Sequence, residues 1–335
     1  ALGLSAADRA IVARAAQLCK ADLGTQMVFE FPELQGIMGT YYARAAKEPA
    51  AVAQAIGEHY LPKGAGDRLP ESLAGKIVGL ADRLDTLMSI FSLGIVPTGS
   101  SDPFALRRAA NAVVNLIWAL DRPLDLAAIL DPTGDRWVPG TKAEGMGQQL
   151  ADFLVQRVRS LLEDEQGVDY DLANAVVGDA GDSVAAARVL ADPTDALVRA
   201  KLLQTLRDRG DLQPLYATIN RAAKLAAKGD LPYTTLDPVG TIDPDQFEKA
   251  SEPAFFAALQ ALLPTTQAAQ ADRDYPALAA ALVPAASIVA DFFDGPDSVL
   301  VMADDPAVRQ NRLNLLALLR NHARVLADFG AIVKG

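Results

Sequence analysis

The sequence predicts an all-α protein of two helical domains, and three observations carry that reading. Half of the 335 residues are apolar but only 6% are aromatic; Ala and Leu dominate and β-branched runs are scarce, a composition that favours helix over strand. Apolar residues recur at helical spacings, as in Leu150, Phe153, Leu154, Val158, Leu161 and Leu162. Pro follows Asp at three predicted helix starts, Asp192-Pro193, Asp243-Pro244 and Asp305-Pro306. There the carboxylate suits the N-cap and the fixed φ of Pro suits the first turn. A chain of this length can bury substantial cores and tends to divide in two.

Leu4, Ile11, Val12, Ala15 and Leu18 set the first helix, with Ser5 as its N-cap and Asp8 at the reciprocal capping position. The helical pattern runs to about residue 130 with three breaks. Phe31-Pro32 stops a helix because Pro lacks an N–H and restrains the residue before it. Gly64, Gly66 and Pro70 make 60–70 irregular, and Thr98, Gly99, Ser100 and Ser101 make 95–103 a polar loop. Residues 1–130 thus form a first domain. Residues 131–146 read as a linker: Asp131 to Gly147 holds two Pro and four Gly and few apolar groups. The second domain, 147–335, begins on the Leu150–Leu162 stripe, and further helices are predicted near 170–177, 184–190, 195–208, 212–228, 245–263, 272–293 and 306–329.

The net charge of −11 argues against a uniformly basic nucleic-acid binder, but phosphate contact depends on local cation density. Residues 161–195 hold nine Asp/Glu against Arg188, whereas 196–231 hold seven Lys/Arg against three Asp. Residues 232–304 are acidic again, and 305–335 are basic by five to two. The solitary Cys19 excludes an intrachain disulfide and a Cys-based metal cluster and fits a reducing cytosol. No uninterrupted apolar run approaches a membrane span of about 20 residues, and no signal-like start is present. A cytoplasmic protein without membrane contact is expected.

Four blocks are diagnostic. KADLGTQMVFEFPELQGIMGTYYA (Lys20 to Ala43), ADRLDTL (Ala81 to Leu87) and DPFALRRAA (Asp102 to Ala110) resemble, in sequence, order and spacing, the middle region of the bacterial glycyl-tRNA synthetase β subunit. DFFDGPDSVLVMADDPAVRQNRLNLLALLR (Asp291 to Arg320) resembles that subunit's C-terminal anticodon-binding helices and, more distantly, the C-terminal domain of arginyl-tRNA synthetase. The resemblance implies a degenerate HD-like helical domain followed by an anticodon-binding helical bundle. It also implies tRNA(Gly) as ligand, and an α subunit that uses ATP and Mg to activate glycine in an α2β2 assembly. The family's β subunit begins further upstream, so the chain is expected to be a C-terminal portion of one.

The residues carry little chemistry of their own. An active HD phosphohydrolase needs several His and Asp ligands including a His-Asp dipeptide, but His59 is followed by Tyr60 and only His322 remains. Asp82 and Asp85 read as solvated or capping groups, so the first domain is expected to be metal-free. Neither a class I nor a class II ATP signature is present, so no catalytic residue and no bound cofactor are expected. Gly64-Ala65-Gly66 and Gly75-Lys76 lack the setting of a phosphate loop, Gln35 to Gly39 reads as close helix packing, and Cys19 has no base beside it.

RNA contact is expected from the basic stretches. At about 100° per residue, Arg221, Lys224 and Lys228 share an arc of about 60°, away from Leu215, Ile219, Ala222 and Ala226. Arg207 ends the preceding helix, where the dipole also explains it. Tyr216 and Asn220 beside the basic arc are candidate base readers. Arg312 and Arg320, with Arg309 and Arg324 on the last helix, are further candidates, although buried carboxylates or loop carbonyls compete for some of them. A helical protein-interaction scaffold is the alternative reading.

Overall fold

The computed structural model describes residues 2–120, 122–131, 145–179 and 181–333. Among them are fifteen α-helices and no strand, only two isolated bridges, in agreement with the all-α expectation. The chain forms two compact units, Ala1–Leu161 with Ala186–Thr194, and Leu162–Ala185 with Asp195–Gly335. The predicted linker lies almost wholly outside the described residues, and the division between units falls later, inside a helix.

The first unit holds α1 (Ala6–Leu18), α2 (Gln26–Glu30), α3 (Ile37–Ala45), α4 (Ala50–Glu58), α5 (Leu73–Ser92), α6 (Leu106–Leu120), α7 (Leu126–Leu130) and most of α8 (Met146–Asp164). Ser5 caps α1 as expected, accepting from the Asp8 N–H and donating its hydroxyl to the Asp8 carboxylate. Phe31-Pro32 leads into a short 3-10 turn, Pro32–Leu34. Buried Val78, Leu84, Leu87 and Phe91 of α5 and Val113, Val114, Leu116 and Ile117 of α6 make the main helix pair, each worth about 1.5–3 kcal/mol of hydrophobic transfer. Phe153 of α8 stacks 5.5 Å from Phe91, so the stripe that reads in sequence as the start of the second domain packs here.

Two polar devices hold the first unit together. Buried Asp22 accepts the N–H groups of Gly36 (2.6 Å) and Gly39 (3.1 Å). A Cβ at Gly39 would sit 2.8 Å from Ile56 Cγ2, and one at Gly36, where φ is +77°, 2.5 Å from the Tyr60 ring. The Gln35–Gly39 segment is therefore the close packing the sequence suggested. Arg83 donates to the carbonyls of His59, Gly79, Tyr60 and Pro62 at 2.8–3.0 Å, and so fixes the chain after α4 against α5.

The second unit contains α9 (Tyr170–Val177), the start of α10 (Ser183–Ala191), α11 (Pro193–Asp208), α12 (Leu212–Ala226), α13 (Ser251–Asp272), α14 (Tyr275–Asp294) and α15 (Pro306–Arg324). Asp305 caps α15 through the N–H groups of Ala307 and Val308. Buried Arg199 pairs with Asp195 at 2.8 Å and donates to the Leu326 carbonyl, while the Tyr275 hydroxyl donates to Asp195, tying α11, α14 and the tail together.

Both ends of α13 depart from the sequence reading, and the last helix ends at Arg324 rather than near 329. The helix expected over 245–263 begins instead at Ser251, because Asp243 caps a separate 3-10 turn and the Glu252 carboxylate accepts the N–H groups of Glu248 and Lys249. It also continues through Pro264 to Asp272, burying Leu259, Leu262, Thr266 and Ala269 beside α14; one missing backbone bond costs less than that burial. As expected from sequence over 272–293, α14 is one continuous helix, and it is long and apolar enough to cross a membrane. Its Leu278, Leu282, Ala285, Val289 and Phe292 are buried, and it packs on α12 and α13 as a core helix.

Candidate nucleic-acid interface

In α12, Leu212, Leu215, Ile219, Ala222 and Ala226 are buried against α14 and α15. That burial turns the opposite arc to solvent, where Arg221, Lys224 and Lys228 are exposed. The three cations differ. Arg221 pairs with exposed Asp294 at 2.6 Å and lies 4.2 Å above the Phe293 ring, so part of its charge is already compensated. Lys224 and Lys228 have no ion-pair partner among the described residues and keep their ammonium groups available for an anion. Arg221 and Lys224 lie on α12, whereas Lys228 stands in the turn after it, because the helix ends at Ala226 and not near 228.

The base-reader candidates are less open. Asn220 is buried, and its side-chain amide donates to the Tyr216 hydroxyl at 2.7 Å; the Asn220 Oδ1 is buried without a partner among the described residues. Tyr216 is half-buried. The pair is preorganised, but only Tyr216 reaches solvent.

The arginine candidates outside α12 are mostly committed to the fold. Arg207 makes a bidentate contact to buried Asp171 at 2.7 Å and another to Asp169 at 2.8 Å. These carboxylates raise its pKa, and against the burial of Asp171 the Arg207 guanidinium and the Val333 N–H hold that carboxyl below its ordinary value. Arg312 is 3% exposed, with Nε 2.8 Å from Glu252, itself 0% exposed, and further bonds to Glu248 and the Leu300 carbonyl. It cannot present itself to a phosphate without leaving Glu252 as a lone buried charge. Arg309 donates to the Ala303 carbonyl, a loop contact of the kind the sequence reading weighed. Arg320 donates to the Leu231 carbonyl and stacks on Tyr233 beside Arg324, an arrangement the sequence reading missed. Its signal was a lone aromatic in a Pro-containing loop just after the basic helix.

In the first unit, an open cleft of about 410 Å³ is lined by Tyr60, Lys63, Asp82, Arg83, Phe104 and Arg108 among others. Asp82 is paired with Lys20 at 2.9 Å, and Asp85 is exposed. His59 is buried, donates from Nδ1 to the Ile56 carbonyl at 2.6 Å, and is held below the usual histidine range by that burial. Among the described residues no group of three or more His, Cys, Asp or Glu could hold a metal ion. Gly75-Lys76 is the first turn of α5, capped by Ser72, with the lysine donating to the Ala119 carbonyl. Buried Cys19 donates to the Ala16 carbonyl, and burial raises its pKa, the reverse of an activated thiol.

A family profile for the glycyl-tRNA synthetase beta subunit matches residues 2–178. The chain is 59% identical over 324 residues to a glycine–tRNA ligase beta subunit of Acaryochloris marina, covering 96% of this chain and 45% of the relative. It is 56% identical to that of a Picosynechococcus species, covering 99% and 47%, and 36% identical to that of Neisseria meningitidis, covering 97% and 44%. The chain spans about half the length of the curated relatives it matches.

Proposed function

We propose, because the chain belongs to the glycyl-tRNA synthetase beta subunit family, that it is the tRNA-recognition portion of the β subunit of a heterotetrameric glycine–tRNA ligase. In this reading an α subunit performs ATP-dependent glycine activation and transfer, with ATP and Mg bound there. The first unit is the HD-like domain without a metal, and the second is the anticodon-binding domain that contacts tRNA(Gly). The observation that carries the reading is the α12 face, where exposed Arg221, Lys224 and Lys228 stand opposite a buried apolar stripe on an acidic protein. Cations concentrated on one helix face attract a phosphate backbone even when the net charge is negative, because salt screens charges more than about 8–10 Å away and leaves the nearby ones dominant. The activity supported is binding and positioning, which lets a synthetase choose its tRNA before transfer.

The test is titration of the chain with tRNA(Gly) and an anticodon-swapped transcript over a series of salt concentrations. Tight binding that weakens steeply with salt and prefers the cognate anticodon is expected. Binding indifferent to salt would favour the second reading, a protein-interaction scaffold. That alternative draws on the exposed apolar side chains Met27, Phe29, Phe31, Ile37 and Tyr41 of the first unit.

A further inference from the structure

The loop after α12 lies along α15, and polar groups fix its path. Gln310 donates to the Asp230 carboxylate at 3.0 Å, Arg320 to the Leu231 carbonyl at 3.1 Å, and the Asn321 amide, 1% exposed, to the carbonyls of Pro232 and Thr235 at 2.8 and 2.7 Å. Tyr233 is therefore anchored by its backbone neighbours on both sides, yet its side chain is 54% exposed. Two guanidinium groups converge on its ring, Arg320 with Cζ 4.0 Å and Arg324 with Cζ 4.2 Å from the centroid.

This arrangement brings like charges together, which needs a counter-charge. Arg324 has one in Asp182 at 3.0 Å. Arg320 bonds only neutral groups, the Leu231 carbonyl and the Asn321 amide oxygen. Burial, reinforced by Arg324 and opposed by Tyr233 and the Asp328 carboxylate, holds its pKa below the ordinary guanidinium value. Arg320 makes no ion pair among the described residues, and beside it the Tyr233 side chain is more than half exposed. Lys228 lies five residues before Tyr233, within about 18 Å at full chain extension, so one strand can touch both.

We propose that Tyr233, Arg320 and Arg324 form a stacking platform for one unpaired nucleotide of RNA, the base resting on the Tyr233 ring and its phosphate drawn to the two guanidinium groups. Rigid exposed aromatics with adjacent arginines bind unstacked bases this way, and duplex RNA, whose bases are already stacked, cannot use them. The inference rests on the RNA-binding reading above and locates one of its contacts.

The experiment measures binding of the full chain and its Tyr233→Ala, Tyr233→Phe and Arg324→Gln variants to tRNA(Gly), to a single-stranded oligonucleotide of its anticodon loop sequence, and to a duplex RNA of equal charge. Circular dichroism and urea midpoints check that each variant is folded. Tyr233→Ala is expected to lose at least about fivefold affinity for tRNA and for the single strand with little change in salt slope, since one stacked base contributes that much. Tyr233→Phe should retain binding, Arg324→Gln should lower the salt slope by somewhat under one, and duplex binding should be insensitive to Tyr233. If the wild-type chain binds RNA and folded Tyr233→Ala binds single strands equally well, the platform is wrong while the RNA-binding reading stands. If the wild-type chain binds none of the three RNAs, both fall.

Discussion

Replacing Lys224 and Lys228 together with Ala gives the sharpest test of the α12 face. Both side chains are exposed and make no ion pair among the described residues, so each can take one phosphate. Each contact contributes about 0.7 (single-stranded) to 0.9 (duplex) to the slope of log affinity against log salt. The double variant should therefore lower the slope by about 1.4–1.8. Extrapolated from a 1 M salt reference, that is roughly a 25- to 60-fold loss of affinity near 0.1 M salt. Adding Arg221→Ala should lower the salt slope by less than either lysine does, since the Arg221 charge is already partly compensated by Asp294. Fluorescence anisotropy with labelled tRNA(Gly) across a KCl series reads both numbers. Folding stability should move by less than about 0.5 kcal/mol, because exposed cations contribute little to it. Unchanged affinity and slope in the double variant would refute the assignment, and a large stability loss would refute the description of the two lysines as solvent-facing.

Arg312→Met should destabilise the chain by about 3–5 kcal/mol in urea, because Glu252 is left buried and unpaired. Adding Glu252→Leu should recover much of the loss, and a single variant as stable as wild type would remove the pair's structural role. His322, fully buried beside Thr266, has its pKa pushed down to about 4 by burial. An unfolded histidine titrates near 6.5, so below that pH the unfolded chain takes up a proton the folded chain refuses. Its share of stability is complete above about 6.5 and falls by roughly 3 kcal/mol as pH drops to about 4. His59, also lowered by burial, adds to the same window, so His322→Gln should flatten the urea midpoint profile there only in part. An unaltered profile would contradict this assignment. Gly36→Ala should destabilise by about 2 kcal/mol or more, combining positive φ with the Tyr60 clash. Gly64→Ala, with nothing near its added carbon, should be close to neutral; equal effects would show that the Gly36 contact carries no strain.

The helices were largely legible because each is written in local code: apolar spacing, an Asx or Ser cap, and a Pro that opens or closes the turn. Ser5, Asp305 and the breaks at Pro32 and 60–70 behave as local chemistry requires. Local code fails where long-range packing outweighs it. Pro264 lies inside a helix because the α13 face is buried on both sides of it, at Leu259, Leu262, Thr266 and Ala269. The start of α13 moved to Ser251 because Glu252, oriented by Arg312 sixty residues away, captures the preceding N–H groups. Phe153 joins α5 for the same kind of reason: its helical spacing says that a face is buried, and nothing local says against what.

Site residues divide along a chemical line that spacing alone does not reveal. The basic last helix reads in sequence as a cation-bearing surface, yet Arg312 is turned inward and Arg309 and Arg320 hold loop carbonyls. A guanidinium has five donors in a planar fork, is weakly hydrated, and can satisfy a carboxylate and a carbonyl together, whereas an ammonium is strongly hydrated and resists burial. Arginines in this chain are drawn to Asp171, Asp195 and Glu252, and so cancel acidic charge within the fold. Exposed Lys224 and Lys228 remain as mobile positive charge. Such pairing leaves the net charge of −11 unchanged, so what the α12 surface offers a phosphate is set by its own exposed lysines and not by the total. Among the candidate arginines, three have an aromatic ring under them, Phe293 beneath Arg221 and Tyr233 beneath Arg320 and Arg324. Of these rings only Tyr233 is itself open to solvent, so it alone among them can offer a base a free face.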